Sequence, residues 1–496
     1  MSSAAIHFLF LGLYLAALFA IGIVTGRKMK SSAEGFFIGS RSVGPWVTAF
    51  SFVSAYYSSV VIIGGGGFGY RFGLATLWVG ATNVIVGTLL AWTILGHRTR
   101  RMTGRLGSIT MPEFFARRYN SPEARVVSAL VIGLFLVLYS VSILKGMGNA
   151  FEVLIGLRYE YSILLSGLMI VAYVAIGGYL AVVWTGFFQG WVMLFGLALL
   201  TALALVRVGG FEAVCARLAT IDNGQYLRTP GVWGWAGLVS YSMIVSFGVW
   251  GMPQLVTRFY SIKTSTVLKL GTVLATVTGA MALLPYLNGA IARVVRPELA
   301  DQARQLGATA FDKAIPLLVQ EVMPPWASAV FLAAVVAAGM SSFAAVLIVV
   351  VSALVKDLAR DSFNLRLTDR QQVVWSRLAS VLVGLVALGV AMRPPAMILV
   401  ITGFAWAVIA STTLWPYVLG LYWRRATRLG TFISMLGGCL VALAWEALGR
   451  PLGLHGFIPG LAAGLVLYLG ASLLSPAPDE ALVTAAFGKD GKQLRR

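Results

Sequence analysis

Charge is scarce in this chain: Asp, Glu, Lys and Arg together make up 11% of 496 residues, and only 18 residues are acidic. Soluble proteins carry about 25% charge, so a soluble globule is excluded. Cysteine is nearly absent. Cys215 stands in a hydrophilic segment and Cys439 in an apolar run, which excludes a disulfide framework and offers no metal-ligand spacing. The three histidines, His7, His97 and His455, lie far apart in sequence, and no hydrolase triad, phosphate-binding loop or nucleotide motif accompanies them. The reading is therefore of a protein that is not an enzyme. What the chain has instead is apolar sequence, 58% of residues with a mean hydropathy of +0.85.

These apolar residues gather into runs long enough to cross a hydrocarbon core about 30 Å thick, which takes roughly 20 helical residues. They lie at 4–26, 43–70, 73–96, 126–156, 161–182, 186–207, 232–256, 268–292, 326–355, 374–392, 396–421, 430–448 and 457–475. The expected architecture is an all-α polytopic membrane protein of about 13 transmembrane helices. The first run lacks the basic amino end of a cleavable signal, since its basic cluster, Arg27, Lys28 and Lys30, follows it, so it reads as a retained span.

Basic residues concentrate on cytoplasmic loops. With the amino terminus outside and the carboxyl terminus cytoplasmic, 26 of the 38 Lys and Arg fall on the inner side, including the seven arginines between Arg98 and Arg125. The net charge of +20 thus reflects topology in a cell membrane, with an inner surface facing anionic lipid and no sign of nucleic-acid binding. Two longer segments, 208–231 and 294–325, lie outside. An amphipathic stretch in the second, Ala310 to Gln320, suggests a surface helix.

Within the spans, polar and helix-breaking residues carry the information. Ser341 and Ser342 are adjacent in an uncharged run, where hydroxyls either pack and bond to their own backbone or hold a ligand. Gly64, Gly65, Gly66 and Gly67 follow Ser54-Ala55-Tyr56-Tyr57-Ser58-Ser59. Five spans later Gly248, Gly251 and Pro253 interrupt another run. Either feature alone fits close packing or a kink. Recurrence in corresponding places is the mark of a transporter built from inverted repeats, with its site where two helices unwind. The organisation that follows is an extra helix and inner loop at 1–30, one five-helix repeat at 42–208, an outer loop at 209–231, a second repeat at 232–421, and two further helices with a tail at 422–496. Lys145 is the only charge between Arg125 and Glu152, and an ionised group at that depth costs about 2.5–3.5 kcal/mol. It either pairs structurally or snorkels, or it faces the cavity to hold an anionic solute or replace a second cation.

Several ordered motifs resemble the sodium:solute symporters, among them the sodium-coupled proline, pantothenate, sialic acid and glucose transporters. They are Glu34-Gly35-Phe36-Phe37-Ile38-Gly39, Ser54 to Tyr70, Tyr173 to Gln189, Gly251 to Phe259, Ala337 to Ser342, and Ser352 to Asp357. The resemblance implies inverted repeats of the LeuT type with broken first helices, and a sodium ion held by the carbonyls of Ser54, Tyr57 and Ala338 and the hydroxyls of Ser341 and Ser342. It also implies a solute cavity lined by Tyr56, Ser58, Ser59, Val61, Asn83, Phe247 and Trp250. Members with a second cation site carry an aspartate after Trp-Thr and hydroxyls one turn beyond the serine pair. Here Trp184-Thr185 is followed by Gly186, and Ala344 and Ala345 stand in the later positions, so one sodium per solute is expected. The expectation is a sodium-coupled symporter importing a small carboxylate, amino acid or vitamin-like solute by alternating access. A sugar would need more amide and carboxylate partners. The alternatives are a proton-coupled transporter of the same fold, disfavoured by the absence of a titrating carboxylate, and a membrane solute sensor. Oligomeric state is not specified by the sequence.

Overall fold

The computed structural model describes residues 3–26, 43–262 and 265–488, with the side chains at 3, 25–26, 170–181, 265–266 and 369 left out. The motif Glu34 to Gly39, the basic residues Arg27, Lys28, Lys30, Arg41 and Lys263, and the tail from 489 lie outside the described residues, as do the first side chains of the Tyr173 to Gln189 motif. Eleven of the described helices are long and apolar enough to cross a membrane.

The chain begins with α1 (Ser3–Gly26). Next comes α2 (Pro45–Tyr56), with proline at its first turn, where a missing N–H costs nothing. After a π-helical turn, Val60–Gly64, α3 (Gly65–Phe72) follows. The chain continues through α4 (Leu77–Thr82), a π-helical stretch Asn83–Leu95 and α5 (Gly96–Leu106). Then come α6 (Met111–Tyr119), α7 (Pro122–Ile155), α8 (Tyr159–Val208) and α9 (Phe211–Ala219). The second half holds α10 (Gly234–Gly251), α11 (Pro253–Tyr260), α12 (Ser265–Gly279), α13 (Leu283–Val295), α14 (Leu299–Leu306) and α15 (Ala314–Val322). It closes with α16 (Pro325–Val351), α17 (Asp369–Ala391), α18 (Ile398–Tyr422), α19 (Arg428–Ala447), α20 (Phe457–Leu474) and α21 (Glu480–Phe487).

The centre of the bundle is α16, packed on α1, α7, α8 and α2. Lipid is as apolar as leucine, so helices in a membrane associate through close contact and hydrogen bonds rather than through the hydrophobic effect. The run Ala337-Ala338-Gly339-Met340 fits that rule. A Cβ on Gly339 would lie 2.1 Å from the Met147 sulfur, and one on Gly196 of α8 would lie 2.5 Å from the Ala334 methyl carbon.

The two halves meet at the ends of their interrupted helices. Val43, just before α2, forms a parallel bridge with Ile262, just after α11, and its N–H donates to the Ser261 carbonyl at 3.3 Å. The beginning of one interrupted helix and the end of the other thus share a face of the bundle, as inversion of a repeat requires.

The spans expected at 161–182 and 186–207 fall within one helically bonded stretch, α8, whose 50 residues exceed a single crossing of a core about 30 Å thick. Two sequence expectations are corrected. Ala310 to Gln320 is not a surface helix. It divides into a 3-10 turn, Ala308–Lys313, and α15, whose Ala314, Ile315, Leu318 and Val319 are buried against α13, α7, α8 and α3. Finally, Gly64 to Gly67 do not break their helix. All four are helical, and they serve as a surface for close packing: Gly64 against the start of α18, Gly65 against α13, Gly66 against α15 and Gly67 against the 3-10 turn. A Cβ at Gly66 would meet Ile315 at 2.0 Å, and one at Gly289 of α13 would meet the Gly66 carbonyl oxygen at 2.0 Å. In an apolar medium the helix hydrogen bonds have no competitor, so glycine is spent on close approach rather than on unwinding.

The loop between α5 and α7 is ordered by charge. Thr110 caps α6 by accepting from the Glu113 N–H at 3.1 Å, and its own hydroxyl donates to Asp357 at 2.8 Å. Burial pushes the Glu113 carboxyl up, but Lys356 at 3.0 Å, the Ile109 amide and Arg117 outweigh it and hold the group below the usual carboxylate range.

Candidate functional site

The first interruption lies at Tyr57 and Ser58. The Ser58 N–H turns to the Tyr56 carbonyl at 3.0 Å instead of reaching Ser54 four residues back. That turn releases the Ser54 carbonyl. Ser58 Oγ accepts from the Val60 N–H at 3.1 Å and restarts the helix, and Ser59 Oγ donates to the Ile143 carbonyl of α7 at 2.8 Å.

Ser341 and Ser342 of α16 face the released backbone. Ser341 Oγ lies 2.6 Å from the Ser54 carbonyl oxygen and 3.1 Å from that of Ala338. Ser342 Oγ lies 3.3 Å from the Ser54 carbonyl oxygen and 2.9 Å from that of Ala55. Two hydroxyl protons are shared among three carbonyls, so oxygen lone pairs exceed donors in a buried pocket without a carboxylate. Neutral oxygens in excess suit a hard monovalent cation held loosely enough to leave. The donor set fits sodium. The Ala55 carbonyl was not named from the sequence, and Tyr57 enters the cluster as the residue that turns the chain.

Gly186 of α8 abuts this cluster. A Cβ there would lie 2.9 Å from Ser54 Oγ and 3.3 Å from the Ser51 side chain. Any side chain at 186 would therefore point at the serines, and glycine leaves only a hydrogen.

The second interruption lies at Met252, whose ψ of 113° ends α10, and Pro253 opens α11. Thr413 Oγ1 donates to the Gly251 carbonyl at 2.7 Å, satisfying a group the break leaves exposed. Gly248 is helical and does not contribute to the break.

Beside the first interruption lies a cavity of about 30 Å³, room for roughly one or two water molecules. Tyr56, Val61 and Asn83 of the expected solute contacts line it. Tyr56 OH and Asn83 Nδ2 both donate to the Val245 carbonyl at 2.5 Å, tying α2 and the Asn83–Leu95 stretch to α10. Ser58 and Ser59 are not among the lining residues, because their hydroxyls serve the break. Phe247 and Trp250 are likewise turned away. Phe247 lines a separate groove with Trp78 and Trp235, and Trp250 Nε1 donates to the Val86 carbonyl at 3.0 Å. Helical periodicity explains the miss: Tyr241, Ile244 and Val245 form the cavity stripe of α10, and 247 and 250 lie on another face.

Helix α18 supplies residues that sequence reasoning did not find. Leu399, Thr402, Gly403 and Trp406 recur at helical spacing on the cavity wall, joined by Tyr139 and Tyr286. Thr402 Oγ1 and Trp406 Nε1 are buried with no hydrogen-bond partner. Two polar groups at i and i+4 in an uncharged span were the available signal.

Lys145 does not line the cavity. Its Nζ lies 2.5 Å from Asp312 Oδ2 and donates to the Ala396 carbonyl at 2.8 Å. The expectation of a solute contact, or of a stand-in for a second cation, gives way to structural pairing. A lysine in the bundle needs a counter-charge, and Asp312 is distant in sequence but adjacent in space.

Residues 36–438 match the sodium:solute symporter family. The chain is 29% identical to an osmoregulated proline transporter of Bacillus subtilis, covering 98% of each chain, and 29% identical to a sodium/proline symporter of Escherichia coli, covering 95% of this chain and 93% of that one. Its fold is similar to that of a sodium-coupled sialic acid symporter in a substrate-bound outward-open state, with a TM-score of 0.79 at 18% identity over 95% of this chain and 98% of the other. A nucleobase-cation-symport-1 transporter in a closed conformation is more distant, with a TM-score of 0.54 at 15% identity over 91% and 97%.

Proposed function

The chain belongs to the sodium:solute symporter family and is a sodium-coupled solute symporter of the LeuT-type fold, and on that premise we propose that its solute is proline or a close amino acid analogue. The observation that carries this reading is the pair of unpartnered donors, Thr402 Oγ1 and Trp406 Nε1, in a cavity walled by tyrosines and aliphatic residues. A carboxylate takes the two donors that otherwise stay unsatisfied, and an apolar ring lies against the aromatic faces. Relatives whose names specify proline span nearly the whole chain, which supports the same class.

Sodium binds to the carbonyls of Ser54 and Ala338, with those of Tyr57 or Ala55, and to the hydroxyls of Ser341 and Ser342. It draws the chain around the Tyr57 break toward α16. The same break carries Tyr56 and Val61 into the solute cavity, so ion and solute act on one segment. The cavity as it stands is too small for an organic solute, and transport requires it to open alternately to either face. Positive-inside counting puts the amino terminus outside and the carboxyl terminus in the cytoplasm, and the sodium gradient then drives import. The two repeats comprise residues 42–208 and 232–421.

Uptake of labelled proline into proteoliposomes under an inward sodium gradient tests this reading. The expected result is accumulation that potassium or choline does not support. Absence of sodium-dependent uptake of proline and its analogues overturns the assignment. Thr402→Val and Trp406→Phe each raise the KM for proline about tenfold, the effect of losing one hydrogen bond to a charged group, and leave sodium activation unchanged.

With glycine at 186 and alanine at 344 and 345, the symporter moves one sodium per solute. Reversal potentials in proteoliposomes measure this ratio, and a value of two refutes it.

A further inference from the structure

The Lys145–Asp312 ion pair ties a span to a loop segment and is deeply buried: the side chains are 4% and 0% exposed. Its place in the fold is unusual. Asp312 belongs to the 3-10 turn Ala308–Lys313 in the segment between α13 and α16, not to a span. Its Oδ2 takes the Lys145 ammonium of α7 and, at 3.1 Å, the N–H of Ile398, the first residue of α18. Lys145 in turn holds the Ala396 carbonyl just before that helix. Gly67 of α3 closes the third side, since a Cβ there would meet the Phe311 carbonyl at 2.9 Å and Asp312 Oδ1 at 3.4 Å. One carboxylate therefore bonds α7 to the start of α18, with α3 packed against the turn that carries it.

Two of these elements line the solute cavity, α7 with Tyr139 and α18 with Leu399, Thr402 and Trp406, and the turn that leads into α3 lines it with Val60 and Val61. The lysine's neighbour Gly146 packs on Ser59 beside the helix interruption, where a Cβ would lie 3.0 Å from Ser59 Cβ. The neighbouring pair Lys313–Glu152, at 3.0 Å, is half exposed and adds little to holding the segment down.

We propose that the Lys145–Asp312 pair is the latch that seats residues 308–322 against the elements that wall the solute cavity and sets how readily the cavity opens to the outside. The proposal rests on the alternating-access reading. Its physical basis is that a buried ion pair is a balanced contact. Attraction in the closed state is offset by loss of hydration, and both charges regain water when the segment lifts. A pair of that kind closes the cavity without locking it. Two predictions of opposite sign follow. Removing one charge leaves the other buried and unpaired, which favours the open state. Replacing both with neutral side chains removes the hydration gained on opening and favours the closed state.

The test uses the full chain in proteoliposomes, with Cys215→Ser and Cys439→Ser removing the native thiols and Leu399→Cys reporting on the cavity. A membrane-impermeant maleimide is added from outside. Asp312→Asn labels at least about tenfold faster than the parent, Asp312→Glu returns toward the parent rate, and Lys145→Met/Asp312→Asn labels more slowly than the parent. The double variant also transports with a lowered kcat. If Asp312→Asn shows no sodium-dependent thermal stabilisation and is unfolded, the double variant decides alone. Shifts of the same sign in single and double variants, or parent-like labelling in the double variant, overturn the latch. Reactivity at Leu399→Cys that responds to sodium but not to the pair defeats the latch and leaves alternating access standing. A parent unreactive in every combination of sodium and proline defeats both.

Discussion

Replacing both Ser341 and Ser342 with alanine abolishes sodium-dependent uptake while the protein still folds. The double substitution removes two oxygens from a cluster in which the remaining members are backbone carbonyls that no mutation of a side chain deletes. Each hydroxyl lost weakens sodium by roughly 10- to 100-fold, by comparison with the loss of groups that only support a metal ligand. Serine to alanine is small and fits the close-packed α16, whose neighbouring positions are already alanine, so misfolding does not supply the result. A thermal shift separates the two causes. At a sodium concentration 100 times its dissociation constant, the parent gains about 2.7 kcal/mol of stability by mass action, and the double variant, weakened at least about 100-fold, gains about 0.4 kcal/mol or less. Melting that rises equally with sodium in parent and variant would remove the serines from the site.

Gly289→Ala prevents the protein from folding. The added carbon would lie 2.0 Å from the Gly66 carbonyl oxygen and 2.8 Å from its carbon, and backbone cannot move aside as a side chain does. Overpacking costs about 1–3 kcal/mol where side chains can shift, and here the cost lies above that range because α3 and α13 must separate. Gly66→Ala is milder, since it meets the Ile315 side chain rather than backbone, and a side chain can shift at a smaller cost. Gly389→Ala, with nothing within 4 Å, is neutral or slightly stabilising. The yield of monodisperse protein and its melting temperature rank the three. A Gly289→Ala protein that melts within a few degrees of the parent would show that the close approach is dispensable.

The membrane class and helical architecture were legible because they depend on composition and run length, which lipid imposes along the chain. The serine pair was legible for a related reason: hydroxyls without charge in a long apolar run stand out locally, and Ser54 stands in a motif of its own. The glycine run misled because glycine serves two purposes, unwinding and close approach. Only the position of Tyr286 and Gly289 on α13 tells which. Phe247 and Trp250 misled because aromatic side chains draw attention whichever face they occupy, and rotation about the α10 axis is set by its neighbours.

By itself the sequence determined that this chain spans a membrane as a bundle of helices, that two of them are interrupted, and that two serines lie at the depth of an interruption. Tertiary structure decided where the first helix breaks, which carbonyls meet the serines, that Thr402 and Trp406 face the cavity with their polar groups unmet, and that Lys145 answers to Asp312. Those outcomes depend on pairs far apart in the chain, such as 54 with 341, 66 with 289 and 145 with 312. A hydrogen bond or a counter-charge is fixed by distance in space, and no local pattern in one segment records where the other will come to rest.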